Sequence, residues 1–306
     1  MEFNREINYK ELKEYFEENG VKLDIYSNDI NEIFKECSND LKKLKIFLEY
    51  ALEKKINLNL NKKDKFENYP LLLSCDKNNN EMIQTLIDYT SNNKIILKLN
   101  EKNKYGYYPL LWACIKNNIE IIKLLIKYSD KNNIILELNE KGMDEFYPLL
   151  WACRNNKIEI VQLLMDYANE NNIILELNEK DNDGDYPLLV VCYKNNIEIV
   201  QLLIDYANKN NIILELNEKN NFGNYPLLGA CLENNIYIVQ LLMDYADKKS
   251  IILELNKKNK KGNYPLLQSC YKNYIKIVQL LIDYANKNNI ILELNEKDKD
   301  GNYPPL

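Results

Sequence analysis

The dipeptide Tyr-Pro recurs in this chain at a fixed interval of 39 residues, and no other feature constrains the fold as tightly. It stands at Tyr69-Pro70, Tyr108-Pro109, Tyr147-Pro148, Tyr186-Pro187, Tyr225-Pro226, Tyr264-Pro265 and Tyr303-Pro304. Leu-Leu follows the first six. A cysteine lies five residues after each of those prolines: Cys75, Cys114, Cys153, Cys192, Cys231 and Cys270. A period of this size means one supersecondary unit that cannot bury its apolar face alone and stacks on copies of itself. Six full units occupy 64–297, and 298–306 begins a further, truncated one.

Within one unit the residues predict two helices. Asn220 to Asn224 is turn chemistry, with Gly223 free to take positive φ. Pro226 suits the first turn of a helix, where its missing N–H costs nothing. "PLLGACLE" reads as a short helix with small residues that let neighbours approach. Asn234, matched by Asn78, Asn117, Asn156, Asn195 and Asn273, tolerates the left-handed conformation and ends it. In "IYIVQLLMDYADKK", Ile238, Val239, Leu241, Leu242 and Tyr245 fall at helical spacing. "SIILELNKK" then returns the chain to the next turn.

The phrase "DGDYPLLVVCYKNNIEIVQLLIDYA", Asp183 to Ala207, resembles an ankyrin repeat. The likeness covers residues 64 to 306 in six in-phase copies. It implies an all-α helical repeat solenoid with short turns or hairpins between units. The departures are regular. Tyr stands for Thr before Pro, Leu for the His two residues after Pro, and Asn for the Gly that ends the first helix. Loss of that His removes a hydrogen-bonding tie and predicts altered turn geometry. Each unit exceeds the family norm of about 33 residues. The excess lies in "NKNNIILELN" and predicts a longer second helix or an added outer ridge. Residues 1–63 carry the period faintly. They predict an N-terminal helical cap, with helix Tyr9–Glu18 and one degenerate repeat whose first helix is Asp29–Cys37. The last unit is as apolar as the internal ones, which predicts a truncated chain, an abrupt end or association through that end.

Charge and composition exclude several classes. The net charge of −6 and pI near 5.1 speak against a nucleic-acid footprint. They also speak against a basic membrane-surface helix, and no apolar run suggests a span. Seven cysteines behind a charged, non-signal N-terminus predict free thiols and a cytoplasmic, reducing location, with the nucleus as the alternative. The chain has no histidine, which removes the commonest general base and metal ligand.

The chemical candidates read as scaffold. The cysteines lack zinc spacing. Helices packed about 8–10 Å apart hold them too far from one another for disulfides, and they have no histidine partner for nucleophilic work. They fit as small apolar residues in a helix seam. "DNDGD" (181–185) has its glycine in the wrong place for a calcium loop and reads as a polar turn. No phosphate loop is present. We expect no enzyme activity, cofactor, metal or small-molecule substrate.

Positions that vary against the repeat carry more information. By resemblance to the family, partners touch the turn tips and the exposed face of the first helix. The tips then offer Phe66, Tyr105, Tyr107, Phe146 and Phe222. The position after each cysteine contributes Ile115, Arg154, Tyr193, Leu232 and Tyr271, and the position two before it contributes Trp112 and Trp151. Aromatics and Arg dominate binding hot spots. Packing between repeats is the competing role for the two tryptophans. Six units at about 10 Å each give a surface about 60 Å long. The expected function is a protein-binding scaffold or adaptor. The competing expectations are a non-catalytic module of a longer protein, whose C-terminal part carries an enzymatic or targeting function, and a spacer that binds through its ends.

Overall fold

The computed structural model describes residues 7–25, 29–37, 40–297, 299 and 301. They are helical, with no strand among them. The chain divides into two compact units, Met1–Met143 and Asp144–Leu306. The first holds α1 (Tyr9–Glu18), α2 (Ile30–Cys37), α3 (Leu41–Glu53), α4 (Pro70–Asp76), α5 (Asn80–Asn93), α6 (Pro109–Ile115) and α7 (Ile119–Asn132). The second holds α8 (Pro148–Arg154), α9 (Ile158–Glu170), α10 (Pro187–Tyr193), α11 (Ile197–Lys209), α12 (Pro226–Leu232), α13 (Ile236–Lys249), α14 (Pro265–Tyr271) and α15 (Ile275–Lys287). The boundary falls in a single 3-10 turn, Met143–Glu145. Apart from Lys299 and Gly301, the stub at 298–306 lies outside the described residues.

Local chemistry sets the helix ends. The tyrosine before each proline is extended, with φ between −137° and −147°. Proline at the first helical position then starts a seven-residue helix. The predicted asparagines end it in the left-handed region, at φ between +54° and +59°. The next residue in four repeats, Asn79, Asn118, Asn196 or Asn235, accepts a backbone N–H at the start of the second helix. First helices stack on first helices and second on second: α4 on α6 in one unit, and α8, α10, α12 and α14 in series in the other. At the N-terminus, α1 buries Leu12 and Phe16 and packs against α3.

The tie expected to be missing with histidine is supplied by tyrosine. The six tyrosines from Tyr69 to Tyr264 that precede proline are buried, and burying an unpaired hydroxyl costs about 1–3 kcal/mol. Each hydroxyl instead donates to the backbone carbonyl 32 residues on, at 2.9–3.3 Å, at Tyr69, Tyr108, Tyr147, Tyr186, Tyr225 and Tyr264. A phenol spans what a threonine could not, so each turn is fixed to the next without imidazole.

The extra residues build a ridge rather than a longer helix. In the unit around α11, the helix stops at Lys209 and the chain runs on as irregular backbone. Its side chains alternate: Leu214 and Leu216 are buried, Ile213 and Glu215 exposed. An asparagine ladder holds neighbouring copies together. Asn178 donates to the Ile213 carbonyl at 2.7 Å and accepts from the Glu215 N–H at 3.1 Å. Asn217 and Asn256 repeat this in the second unit, and Asn61 and Asn100 in the first. From the other side, Tyr206 accepts the Leu175 N–H at 3.2 Å and donates to the Ile173 carbonyl at 3.1 Å. Side chains on both sides thereby answer polar groups of the ridge backbone without a strand.

Candidate interaction surface

The turn tips are built on a side-chain cap. At Asn220–Asn224, the Asn220 Oδ1 accepts the N–H groups of Phe222 and Asn224 at 3.0 and 2.9 Å. Gly223 takes φ +79°, and a Cβ there would lie 2.9 Å from the Asn259 Cα, so conformation and close approach both demand glycine. Asp64, Asn103, Asp181 and Asn259 play the Asn220 part in their own tips. The 142–146 tip departs from this. Gly142 stands where the cap belongs, and Asp144 and Glu145 take the left-handed region without being glycine.

In the first unit the tip aromatics stack. Phe66 and Tyr105 lie face to face at 6.4 Å between centroids, and Tyr105 stays exposed. Tyr107 stacks on Trp112 at 4.5 Å, and the Lys116 ammonium sits 4.8 Å above the indole. Lys116 also pairs with Asp76 at 3.3 Å. Ile115 is half-buried at the end of α6.

In the second unit the same register carries different chemistry. Phe146 packs on Trp151 at 4.9 Å, and the Arg154 guanidinium covers the Phe146 ring at 4.7 Å. Arg154 reaches into the following tip, 3.0 Å from both the Asp181 and Asp185 carboxylates and 4.0 Å from Asp183. Asp181 is fully buried at its side chain; Asp183 is mostly exposed. Burial raises the Asp181 carboxyl above its ordinary value, against two backbone N–H groups and Arg154, which lower it. The Tyr193 ring lies on Gly229, where an added Cβ would meet its Cδ2 at 2.9 Å. Leu232 is half-buried, while Phe222 and Tyr271 are 56% and 61% exposed.

The structure thus sorts the sequence candidates. Trp112 and Trp151 pack on a tip aromatic of their own repeat rather than standing free. Arg154 is an internal clamp. Tyr105, Phe222 and Tyr271 present rings to solvent. Trp151, Arg154, Tyr193 and Phe222 come together in one groove of about 500 Å³, along with Asp185, Val190, Asn220 and Asn224. Sequence reasoning missed Asp185, Val190 and the two asparagines. One signal was available: Arg154 and the three-aspartate tip occur once each, in consecutive repeats, 27 to 31 residues apart.

The cysteines are free, and six of the seven are buried. Burial pushes the Cys231 thiol up to about 12, against a hydrogen bond from Ser269 that lowers it. A nucleophilic cysteine needs the opposite shift. Among the described residues, no group of three or more His, Cys, Asp or Glu is placed to hold a metal ion. Nor is any helix among them long and apolar enough to cross a membrane.

Paired short and long helices, stacked through a side-chain ladder and presenting variable tips, define a helical repeat protein of the interaction-module type. The family model for ankyrin repeats, in three copies, matches residues 36–135, 133–213 and 208–291, and the chain belongs to that family. Ankyrin repeats are a general protein–protein interaction module. Two solved structures are similar. One is the ankyrin repeat domain of Bcl-3, a member of the IkappaB protein family, at 18% identity and TM-score 0.52, covering 78% of this chain and 92% of that one. The other is EF0377, an ankyrin repeat protein, at 21% identity and TM-score 0.54, covering 74% and 100%. At these identities the likeness speaks for the fold alone. No curated protein sequence matches the chain significantly.

Proposed function

We propose that the chain is a non-catalytic scaffold or adaptor that binds a protein partner through its turn tips and the exposed face of its first helices. The observation that carries this reading is the groove at α8, α10 and the 220–224 tip. There Trp151, Tyr193 and Phe222 converge on one surface, at positions where the repeats otherwise disagree. Aromatic side chains in a partly desolvated pocket are the usual anchors of an interface. The cysteines, used as small apolar residues in the helix seam rather than as cross-links, fit a cytoplasmic setting.

The test uses substitutions that leave the scaffold alone. Partners cross-linked to the wild-type chain are identified, and their affinity is then measured against Phe222→Ala combined with Tyr193→Phe. Phe222 is exposed, and the Tyr193 hydroxyl has no hydrogen-bond partner among the described residues. The circular dichroism spectrum should be unchanged and the affinity should fall about tenfold or more. Unaltered affinity for every partner would remove the surface reading.

A further inference from the structure

The single arginine of this surface suggests at first sight an acidic partner; the geometry points the other way. We infer that the Trp151–Tyr193–Phe222 groove receives a cationic, arginine-bearing segment of the partner protein. This rests on the proposed function and names the chemistry of its partner.

The argument begins with what Arg154 has left to give. Its guanidinium is held 3.0 Å from Asp181 and 3.0 Å from Asp185 while its face covers Phe146. The Arg154 Nη2 is already shared between Asp181, buried at its side chain, and Asp185, so a partner carboxylate drawn to this guanidinium would enter beside two carboxylates that repel it. The partner-facing charge is therefore set by the aspartates. Three carboxylates surround one guanidinium, so the cluster is net negative. Asp181 and Asp185 are fully engaged: Asp181 Oδ1 accepts two backbone N–H groups and Asp185 Oδ1 accepts the Asn220 amide at 2.7 Å. Asp183, at the longest approach to Arg154 and 60% exposed, is the carboxylate available to a partner. Lys194 on the wall contributes one positive charge, and Glu233, near enough to act on the Tyr193 ring, brings one negative charge to the same side.

The apolar lining fits the same occupant. Trp151, Val190, Tyr193 and Phe222 offer ring faces and an aliphatic floor on which the stem and plane of an arginine can lie. The Trp151 indole N–H and the Tyr193 hydroxyl are buried without partners among the described residues. Guanidinium rather than ammonium is favoured because a planar cation stacks and pairs at once.

The probe is a capped pentapeptide, Gly-Arg-Leu-Arg-Gly, with a twin carrying glutamate for arginine. In a Trp112→Phe background the remaining tryptophan fluorescence belongs to Trp151 and reports on the groove directly. The arginine peptide should change that emission saturably, and its affinity should fall between about 50 mM and about 500 mM salt. Asp183→Asn should weaken it about threefold to tenfold. The glutamate twin should have no effect. Equal or tighter binding of the glutamate twin would overturn the inference, as would no response to either peptide. If the Phe222→Ala, Tyr193→Phe variant still loses its partners in that case, the surface reading stands and only the charge assignment falls. If those partners stay bound as well, both readings fall.

Discussion

Helices α6 and α8 begin with the same six residues, Pro-Leu-Leu-Trp-Ala-Cys, and differ only in the seventh, Ile115 against Arg154. Their surroundings diverge from that point. In the first unit Trp112 is sandwiched between Tyr107 and Lys116, and the helix end is apolar. In the second, Trp151 has Phe146 on its face, and Arg154 ties the helix end to the next tip through Asp181 and Asp185. One residue converts a half-buried apolar helix end into an ionic clamp, because the repeat geometry places that position within a side chain's length of the following turn.

The largest break in this comparison should come from Arg154→Ala. It removes a partner from a buried carboxylate and should cost about 2–3 kcal/mol, less than a fully buried pair because Arg154 is 25% exposed. Ile115→Ala should cost about 1 kcal/mol. Urea unfolding of both variants measures the difference. Adding Asp181→Asn to Arg154→Ala should recover much of the loss, since Asn220 and Asn259 make the same turn cap without charge. A double variant no more stable than the single one would refute the clamp.

The pH dependence sharpens the same contrast. Asp181 has its carboxyl raised in the folded state by burial. A raised acid binds its proton more tightly folded than unfolded, so its contribution is present at low pH and is lost as pH rises through that window. Without Arg154 the carboxyl rises further. The Arg154→Ala penalty should therefore be greatest near neutrality and shrink as pH falls through the carboxylate range, while that of Ile115→Ala stays flat. Thermal midpoints across pH would show it.

The two units should respond alike where their chemistry is alike. Tyr108→Phe and Tyr147→Phe each delete one hydroxyl donating to a backbone carbonyl, at 2.9 and 3.1 Å, and each should cost about 1–1.5 kcal/mol. A wide disparity would mean that the ladder is not the shared element. Smaller still is the seat of Tyr193. Gly229→Ala alone should destabilise, because the new Cβ meets the Tyr193 ring. In a Tyr193→Ala background the same change should stabilise by about 0.5–1 kcal/mol, the ordinary preference of a helix for alanine. A double-mutant cycle in urea reads this reversal.

Much of the fold was legible because a repeat multiplies weak signals. Asn78 alone is an ambiguous polar residue; six copies at one register predict a left-handed stop, and the backbone takes that conformation at all six. Proline and glycine were equally direct, since each acts on its own backbone. The ridge was only half legible. Its length was plain, but the Asn178 contacts that shape it join segments 35 and 37 residues apart. The surface was least legible. Arg154 stood out by rarity, but its engagement depends on which aspartate the next tip brings near.

By itself, the sequence determined the period, the two helices of each unit, the proline starts and asparagine stops of the first helices, the turns, and the burial of most of the cysteines. These follow from local backbone preference and from an apolar pattern repeated at one spacing. Tertiary structure alone decided that tyrosine hydroxyls would carry the turn-to-turn tie, that the extra residues would form an asparagine-laddered ridge, and that Arg154 would be neutralised from within. Those outcomes rest on distances between successive units, and a side chain's net charge to a partner is fixed only once its neighbours in space are known.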